Sequence, residues 1–319
     1  MRSKMIQVAI GMSTGLILSN LVLAAPPADW SSVPATAITL FYPGQSSLQW
    51  LLSKEHKRAY KKVAQGDSCI SCHEGEEREI GDKLVAGGRL EPAPIKGKQG
   101  TVDLALQVAY DDDNAYFRFQ WKTLNQYPGI AHPFERFDGK QWKHYGYPKL
   151  DKVVQDGGQP GIYEDRLSML VDDGSVPNFA EQGCWVSCHN GMRDMQGLAT
   201  KAEVQANPLL GKAGLNKKDV RKYLPSTRTG DSWDSTKSAS EVAEIKARGG
   251  FLDLMQWRGH RSNPVGMADD FYVLAYRNND AGKGPFRSNV DKKKHQPKFM
   301  YDAKKVGSNK FMIPVCRSL

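Results

Sequence analysis

Apolar residues recur over residues 46–63 at the spacing of one helix face, through Leu48, Leu51, Leu52, Ala59 and Val63. His56 lies on that stripe, one turn after Leu52 and one turn before Tyr60, so the pattern predicts a helix with an imidazole on its apolar face. Beyond Gly87-Gly88 and the Pro-broken stretch 91–94 the period falls to two. Leu104, Leu106, Val108 and Tyr110 alternate with Asp103, Ala105, Gln107 and Ala109; Asp111-Asp112-Asp113-Asn114 interrupts, and Phe117, Phe119 and Trp121 resume. Residues 102–121 therefore predict a β-hairpin with a polar turn. Leu167, Met169 and Val171 alternate before Asp172-Asp173-Gly174, and Phe271, Val273 and Ala275 before Asn278-Asn279-Asp280. Between them Ser238-Ala239-Ser240-Glu241 reads as a capping box opening a short helix to Ala247, stopped by Gly249-Gly250. The expected fold class is mainly β with helical segments.

The first 24 residues follow neither period. Arg2 and Lys4 precede an apolar stretch through Ile10, Leu16, Ile17, Leu18, Leu21 and Leu23 that ends in Val22-Leu23-Ala24-Ala25-Pro26, the pattern of a secretory signal peptide cleaved after Ala24. Ser13, Thr14, Ser19 and Asn20 interrupt the run, which falls short of the roughly 20 residues that span a bilayer. A cleaved signal and a periplasmic protein without a transmembrane segment are expected. No cysteine follows the cleavage point, which argues against a lipoprotein. The 319 residues then divide into a signal peptide (1–24), an amino-terminal module (25–98) and a larger domain (99–319).

The formal charge of +9 becomes +7 once Arg2 and Lys4 are removed. The excess gathers near the end, where Lys283, Arg287, Lys292, Lys293, Lys294, Lys298, Lys304, Lys305 and Lys310 face only Asp291 and Asp302. In an exported protein this patch does not point to nucleic acid. It reads either as a docking surface for an acidic redox partner or as a solvated tail. Five cysteines are too few for a disulfide-stapled scaffold, and Cys316 reads as an unpaired tail thiol.

Cys69-Ile70-Ser71-Cys72-His73 carries the chemistry. C-x-x-C-H attaches a c-type haem: Cys69 and Cys72 form thioethers with the porphyrin vinyl groups, and His73 ligates the iron. A zinc site would want a second ligand pair at similar spacing, and a thioredoxin-like pair a strand and a helix around it; this segment is polar and Gly-rich. His56 is the candidate for the iron's other axial position, against core packing or a Met ligand. Glu74, Glu76 and Glu77 read as a solvated acidic cluster.

Cys184-Trp185-Val186-Ser187-Cys188-His189 repeats the Cys-His ending with one extra residue between the thiols. Three readings stand: a second haem c on Cys184 and Cys188 with His189 on the iron, a Cys184–Cys188 disulfide, or a haem held by His189 without thioethers. For a second haem the other axial ligand would come from Met169, Met192, Met195, His260 or Met267. His260 is preferred ahead of Met169, because its Gly- and Pro-broken segment also carries Arg258 and Arg261 as partners for haem propionates.

Taken in order, Tyr163–Leu170, Gly183–His189 and Trp257–Pro264, continuing to Asp269-Asp270, resemble the haem-binding domain of the gamma subunits of ethylbenzene dehydrogenase and dimethylsulfide dehydrogenase. The resemblance covers about residues 100–310. It implies an antiparallel β-sandwich with a haem at one end, an electron-transfer subunit or partner of a molybdenum enzyme of the dimethyl sulfoxide reductase type, and a setting in anaerobic respiration. Those subunits hold haem b through Met and Lys. Met169 matches the Met and no lysine matches, so with its two Cys-His motifs this chain resembles a c-type relative. The dehydrogenase chemistry belongs to the separate molybdenum subunit and does not carry over.

The function expected is an exported multihaem c-type cytochrome, an electron carrier and not itself an enzyme. Its partners would be redox proteins, a molybdopterin enzyme or a membrane quinol-oxidising cytochrome. Two other classes remain open: a haem enzyme with an open iron position, such as a peroxidase or a reductase of small oxyanions or sulfur compounds, and a haem-based binding or sensing module.

Overall fold

A computed structural model gives the fold over residues 26–41, 54–63, 65, 67, 70–87, 99–112, 114–122, 135–137, 142–144, 152–158, 165–187, 199–215, 219–230, 232–259, 262–263, 268–280, 299–301 and 312–314. Residues 1–24, expected to be a signal peptide, the basic residues beyond Asp280 and Cys316 lie outside these. The described residues form antiparallel sheets joined by short helices, the mainly-β class that the alternation predicts. Two compact units contain them, one of Met1–Ile38 with Leu104–Trp121, the other of Thr39–Asp103 with Lys122–Leu319. Among the described residues no helix is long and apolar enough to cross a membrane.

Strands β1 (Thr36–Phe41), β2 (Thr101–Tyr110) and β3 (Ala115–Trp121) form a three-stranded sheet in that order. Pairing of Leu104 with Trp121, Leu106 with Phe119 and Val108 with Phe117 puts the apolar half of the alternation on one face, where Phe117 and Phe119 stack. The other face buries one polar side chain that is fully used. Gln107 Nε2 donates to the carbonyls of Trp30 (2.8 Å) and Val33 (2.6 Å), and its Oε1 accepts from Arg118 at 3.1 Å. The predicted turn is closed by Asp111, whose Oδ1 accepts the Asn114 N–H at 2.8 Å.

Strands β4 (Glu135–Phe137) and β5 (Trp142–His144) form a short hairpin. The main sheet follows: β6 (Arg166–Val171), β7 (Leu252–Arg258), β8 (Asp269–Val273) and β9 (Arg277–Asn279), neighbours in that order. Leu252, Leu254, Phe271 and Val273 share one face and build the core with Val176, Val186 and Leu224. Strands β10 (Phe299–Tyr301) and β11 (Met312–Pro314) pair with each other.

The expected helix Ala239–Ala247 is present with its capping box: the Glu241 N–H donates to Ser238 Oγ at 3.3 Å, and the Ser238 N–H to Glu241 Oε2 at 2.9 Å. Two expectations change. The strand expected through Ala275 ends at Val273, because the chain turns there and the Leu274 carbonyl accepts from the Leu224 N–H at 2.8 Å; Leu274 and Ala275 instead pack on Val242 and Ile245. In the predicted helix over 46–63, residues 46–53 lie outside the described ones. The rest is broken into a 3-10 turn, Lys54–His56, and a helix, Ala59–Val63.

Candidate functional site

A one-turn helix, Ile70–His73, ends on Cys72 and His73, and a longer one, Glu77–Ala86, follows. Gly75 lets the chain turn between them at φ +81°, the left-handed region glycine tolerates. The Glu76 N–H donates to the His73 carbonyl at 3.0 Å, and the Glu76 carbonyl accepts from the Ile80 N–H at 2.9 Å. This turn aims the Glu76 carboxylate at the imidazole, with Oε2 2.9 Å from His73 Nδ1. Both side chains are partly exposed, so the pair is worth at most about 1 kcal/mol of stability. Its effect is on the ring: a carboxylate at Nδ1 selects the Nδ1–H tautomer and leaves Nε2 as a donor for a metal.

The second imidazole of the site is that of His56. Its ring centroid lies 6.3 Å from that of His73, with the ring planes 72° apart. With metal–imidazole bonds of about 2.0 Å and roughly 1.1 Å from nitrogen to ring centre, two imidazoles that share one metal have ring centres at most about 6.2 Å apart. Edge-to-face packing alone also falls in this range. What sets this pair apart is that His73 Nδ1 is committed to Glu76 and that a thiol, Cys72, is exposed on the adjacent residue. The donor set therefore fits an iron porphyrin bonded through sulfur. Cys69 lies outside the described residues.

The second motif begins on the core. The 3-10 helix Gly183–Ser187, opening on Gly183 at φ +55°, packs Val186 against the main sheet; Ser187 is buried too, while Cys184 is exposed. The Ser187 hydroxyl donates to the Cys184 carbonyl at 3.0 Å, holding the turn. Cys188 and His189 lie outside the described residues, as do His260, Met192, Met195 and Met267. Met169 is described. It pairs with Met255 on β6 and β7, and since its neighbour Leu170 packs on the core, Met169 faces the other way, with Leu167 and Trp257. Arg258 is buried, with Nε 3.0 Å from Asp269 Oδ2, and directs its Nε–H at Gln256 Oε1 (2.9 Å). Gln256 Nε2 in turn donates to Ser168 Oγ at 3.0 Å. Arg261 lies outside the described residues.

A family model described as ethylbenzene dehydrogenase matches residues 28–312. The chain belongs to the ethylbenzene dehydrogenase family. The match reaches well amino-terminal of the segments that carry the resemblance in sequence, and takes in the Cys72–His73 turn. The chain is also similar to two cytochromes. It is 34% identical over 178 residues to cytochrome c-552 of Stutzerimonas stutzeri, covering 56% of this chain and 52% of that protein. It is 27% identical over 169 residues to cytochrome c-551 of Rhodocyclus tenuis, covering 53% of this chain and 58% of that one. The chain thus spans about half the length of these curated relatives. No solved structure matches.

The residue that sequence reasoning missed is Glu76. Within a run of glutamates it looked like solvent-facing charge. The available signal was its i,i+3 spacing from a haem-motif histidine across a glycine.

Proposed function

We propose that the chain is an exported, periplasmic c-type cytochrome that relays single electrons, with one haem c bonded to Cys69 and Cys72 and ligated by His73 and His56. The observation that carries this reading is the His56–His73 pair at 6.3 Å beside the Cys72 thiol. Family membership and the two cytochrome relatives support it. The haem supplies a reversible one-electron change at iron. The residues of the chain bind it, orient its ligands and set how readily it gives up the electron. With both His73 and His56 as ligands the iron would keep no position free for a substrate, which favours relay over catalysis.

A second haem c, on Cys184 and Cys188 with His189 and either His260 or Met169 as ligands, completes the proposal. The electrons would pass to or from a molybdenum enzyme or a membrane quinol-oxidising cytochrome, with the basic carboxyl-terminal segment as the docking surface.

The test is expression in a host that matures c-type cytochromes. The acid-denatured intact mass counts the attached haems and shows whether the chain is cut after Ala24. Two haems are expected, one lost in Cys69→Ala/Cys72→Ala and the other in Cys184→Ala/Cys188→Ala. His56→Ala is expected to convert one haem from low to high spin. Colourless protein with no pyridine haemochrome would overturn the reading.

A further inference from the structure

We infer that Glu76 is a positioning residue for the amino-terminal iron: its carboxylate orients the His73 imidazole, strengthens it as a ligand, and holds the reduction potential of that haem down. The inference rests on the proposed ligation by His73.

Four observations carry it. The Oε2–Nδ1 distance of 2.9 Å is that of a charge-assisted hydrogen bond. Glu76 occupies the N-cap position of the helix Glu77–Ala86 and makes no side-chain cap hydrogen bond there, so its carboxylate is not committed to the helix end. The side chain is turned to the imidazole in place of the helix end. The backbone is shaped for that choice, with Gly75 at φ +81° and the Glu76 N–H returned to the His73 carbonyl.

The chemical consequence follows from charge. An anionic acceptor on Nδ1–H pushes electron density toward Nε2, and a more basic imidazole stabilises the oxidised iron over the reduced one. Removing the carboxylate therefore favours reduction.

The experiment compares wild type with Glu76→Gln, Glu76→Ala, Glu76→Asp and Glu74→Gln, the last removing an adjacent exposed carboxylate. Covalent haem is counted by intact mass, ligation read from the low-spin spectrum, and the potential measured by spectroelectrochemical titration. At a fixed solution potential the reduced-to-oxidised ratio of one haem is expected to rise about tenfold in Glu76→Ala, a positive shift of about 59 mV for a one-electron couple. Glu76→Gln should move it the same way, Glu76→Asp should restore part of the wild-type value, and Glu74→Gln should move it much less. If Glu76→Ala does not accumulate, Glu76→Gln and Glu76→Asp decide. Potentials unchanged in the Glu76 variants, with haem attached and low-spin, overturn the inference and leave the cytochrome reading standing. An equal shift in Glu74→Gln also overturns it, since through-space charge would then suffice. A wild-type protein without covalent haem overturns both.

Discussion

Arg258 Nε lies 3.0 Å from Asp269 Oδ2, joining the last residue of β7 to the first residue of β8 with both side chains buried. The pair ties the end of one strand to the start of the next. Gln256 Oε1 also accepts from the buried guanidinium, which spreads its charge, and Ser262 Oγ accepts the Arg258 backbone N–H at 2.9 Å.

Asp269→Ala is expected to lower the unfolding free energy by about 3–5 kcal/mol, because it strands a buried guanidinium. Replacing both partners with apolar residues, Arg258→Met with Asp269→Leu, should recover most of that loss. Denaturant unfolding of the two single variants and the double variant measures the coupling.

Asp253 and Asp270 should destabilise the fold less as pH falls from neutral toward the ordinary carboxylate range. Asp253, Asp270 and Asp280 place carboxylate oxygens within 4.8 Å of one another. Burial, then the neighbouring carboxylates, pushes Asp270 above the ordinary Asp value, and burial does the same for Asp253, whose Oδ1 is buried without a hydrogen-bond partner. The folded state then binds these protons more tightly than the unfolded chain, so their destabilising effect is relieved as they protonate. Asp253→Asn should be more stable than wild type at neutral pH, with the difference closing toward about pH 4. Glu203 and Glu241 act oppositely, because hydrogen bonds from Thr200 and Ser238 hold them below the usual Glu range; their contribution is lost at lower pH. Unfolding midpoints measured across the pH series check both signs.

The capping boxes give a local test. Ser238→Ala should cost about 1 kcal/mol, and Thr200→Ala a similar amount, while Ser238→Gly should cost only a few tenths. The denaturant midpoint should move with no change in slope.

Gly81→Ala should destabilise, although alanine ordinarily favours a helix by about 1 kcal/mol over glycine. A methyl group at Gly81 would press on the backbone carbonyl of Gly100, which has no side-chain freedom to yield. A loss of roughly 1–3 kcal/mol is expected, read by thermal unfolding.

Arg228 staples three stretches of chain. It donates to the Trp233 carbonyl at 2.8 Å, to Thr227 Oγ1 at 2.7 Å and to the Ala275 carbonyl at 2.9 Å, and its guanidinium sits 3.9 Å from the Tyr223 ring centre. Burial pulls its pKa down to about 10, so at neutral pH it is charged in both folded and unfolded states and its effect is independent of pH there. Lysine has no planar fork to reach all three acceptors, and Arg228→Lys should cost about 3 kcal/mol. Chemical denaturation at pH 7 measures it.

Much of the secondary structure was legible because its signals are local. The 102–121 hairpin needed only alternation and an Asp-rich break, and the Ser238 box only residues three apart. Thr200 and Glu203 form an equally complete box, but no apolar periodicity beside them marks a helix in the sequence. The fracture of the 46–63 stripe at Lys57-Arg58 was invisible, because an apolar face tells which side is covered but not whether the helix runs unbroken. The C-x-x-C-H motif stands out as a spacing of thiols and imidazole; the carboxylate bonded to that imidazole does not, being one glutamate among several.

The amino-acid order by itself determined what depends on neighbours within a turn or two: the strands and caps, and the C-x-x-C-H spacing of Cys69, Cys72 and His73 with His56 as the candidate partner. Tertiary structure alone decided how near His56 comes to His73, that Glu76 serves an imidazole and leaves its helix uncapped, and that Arg258 answers Asp269. The physical reason is the same in each case. A polar side chain accepts whichever partner the folded backbone brings within about 3 Å, and periodicity carries no information about which of several chemically equivalent groups that is.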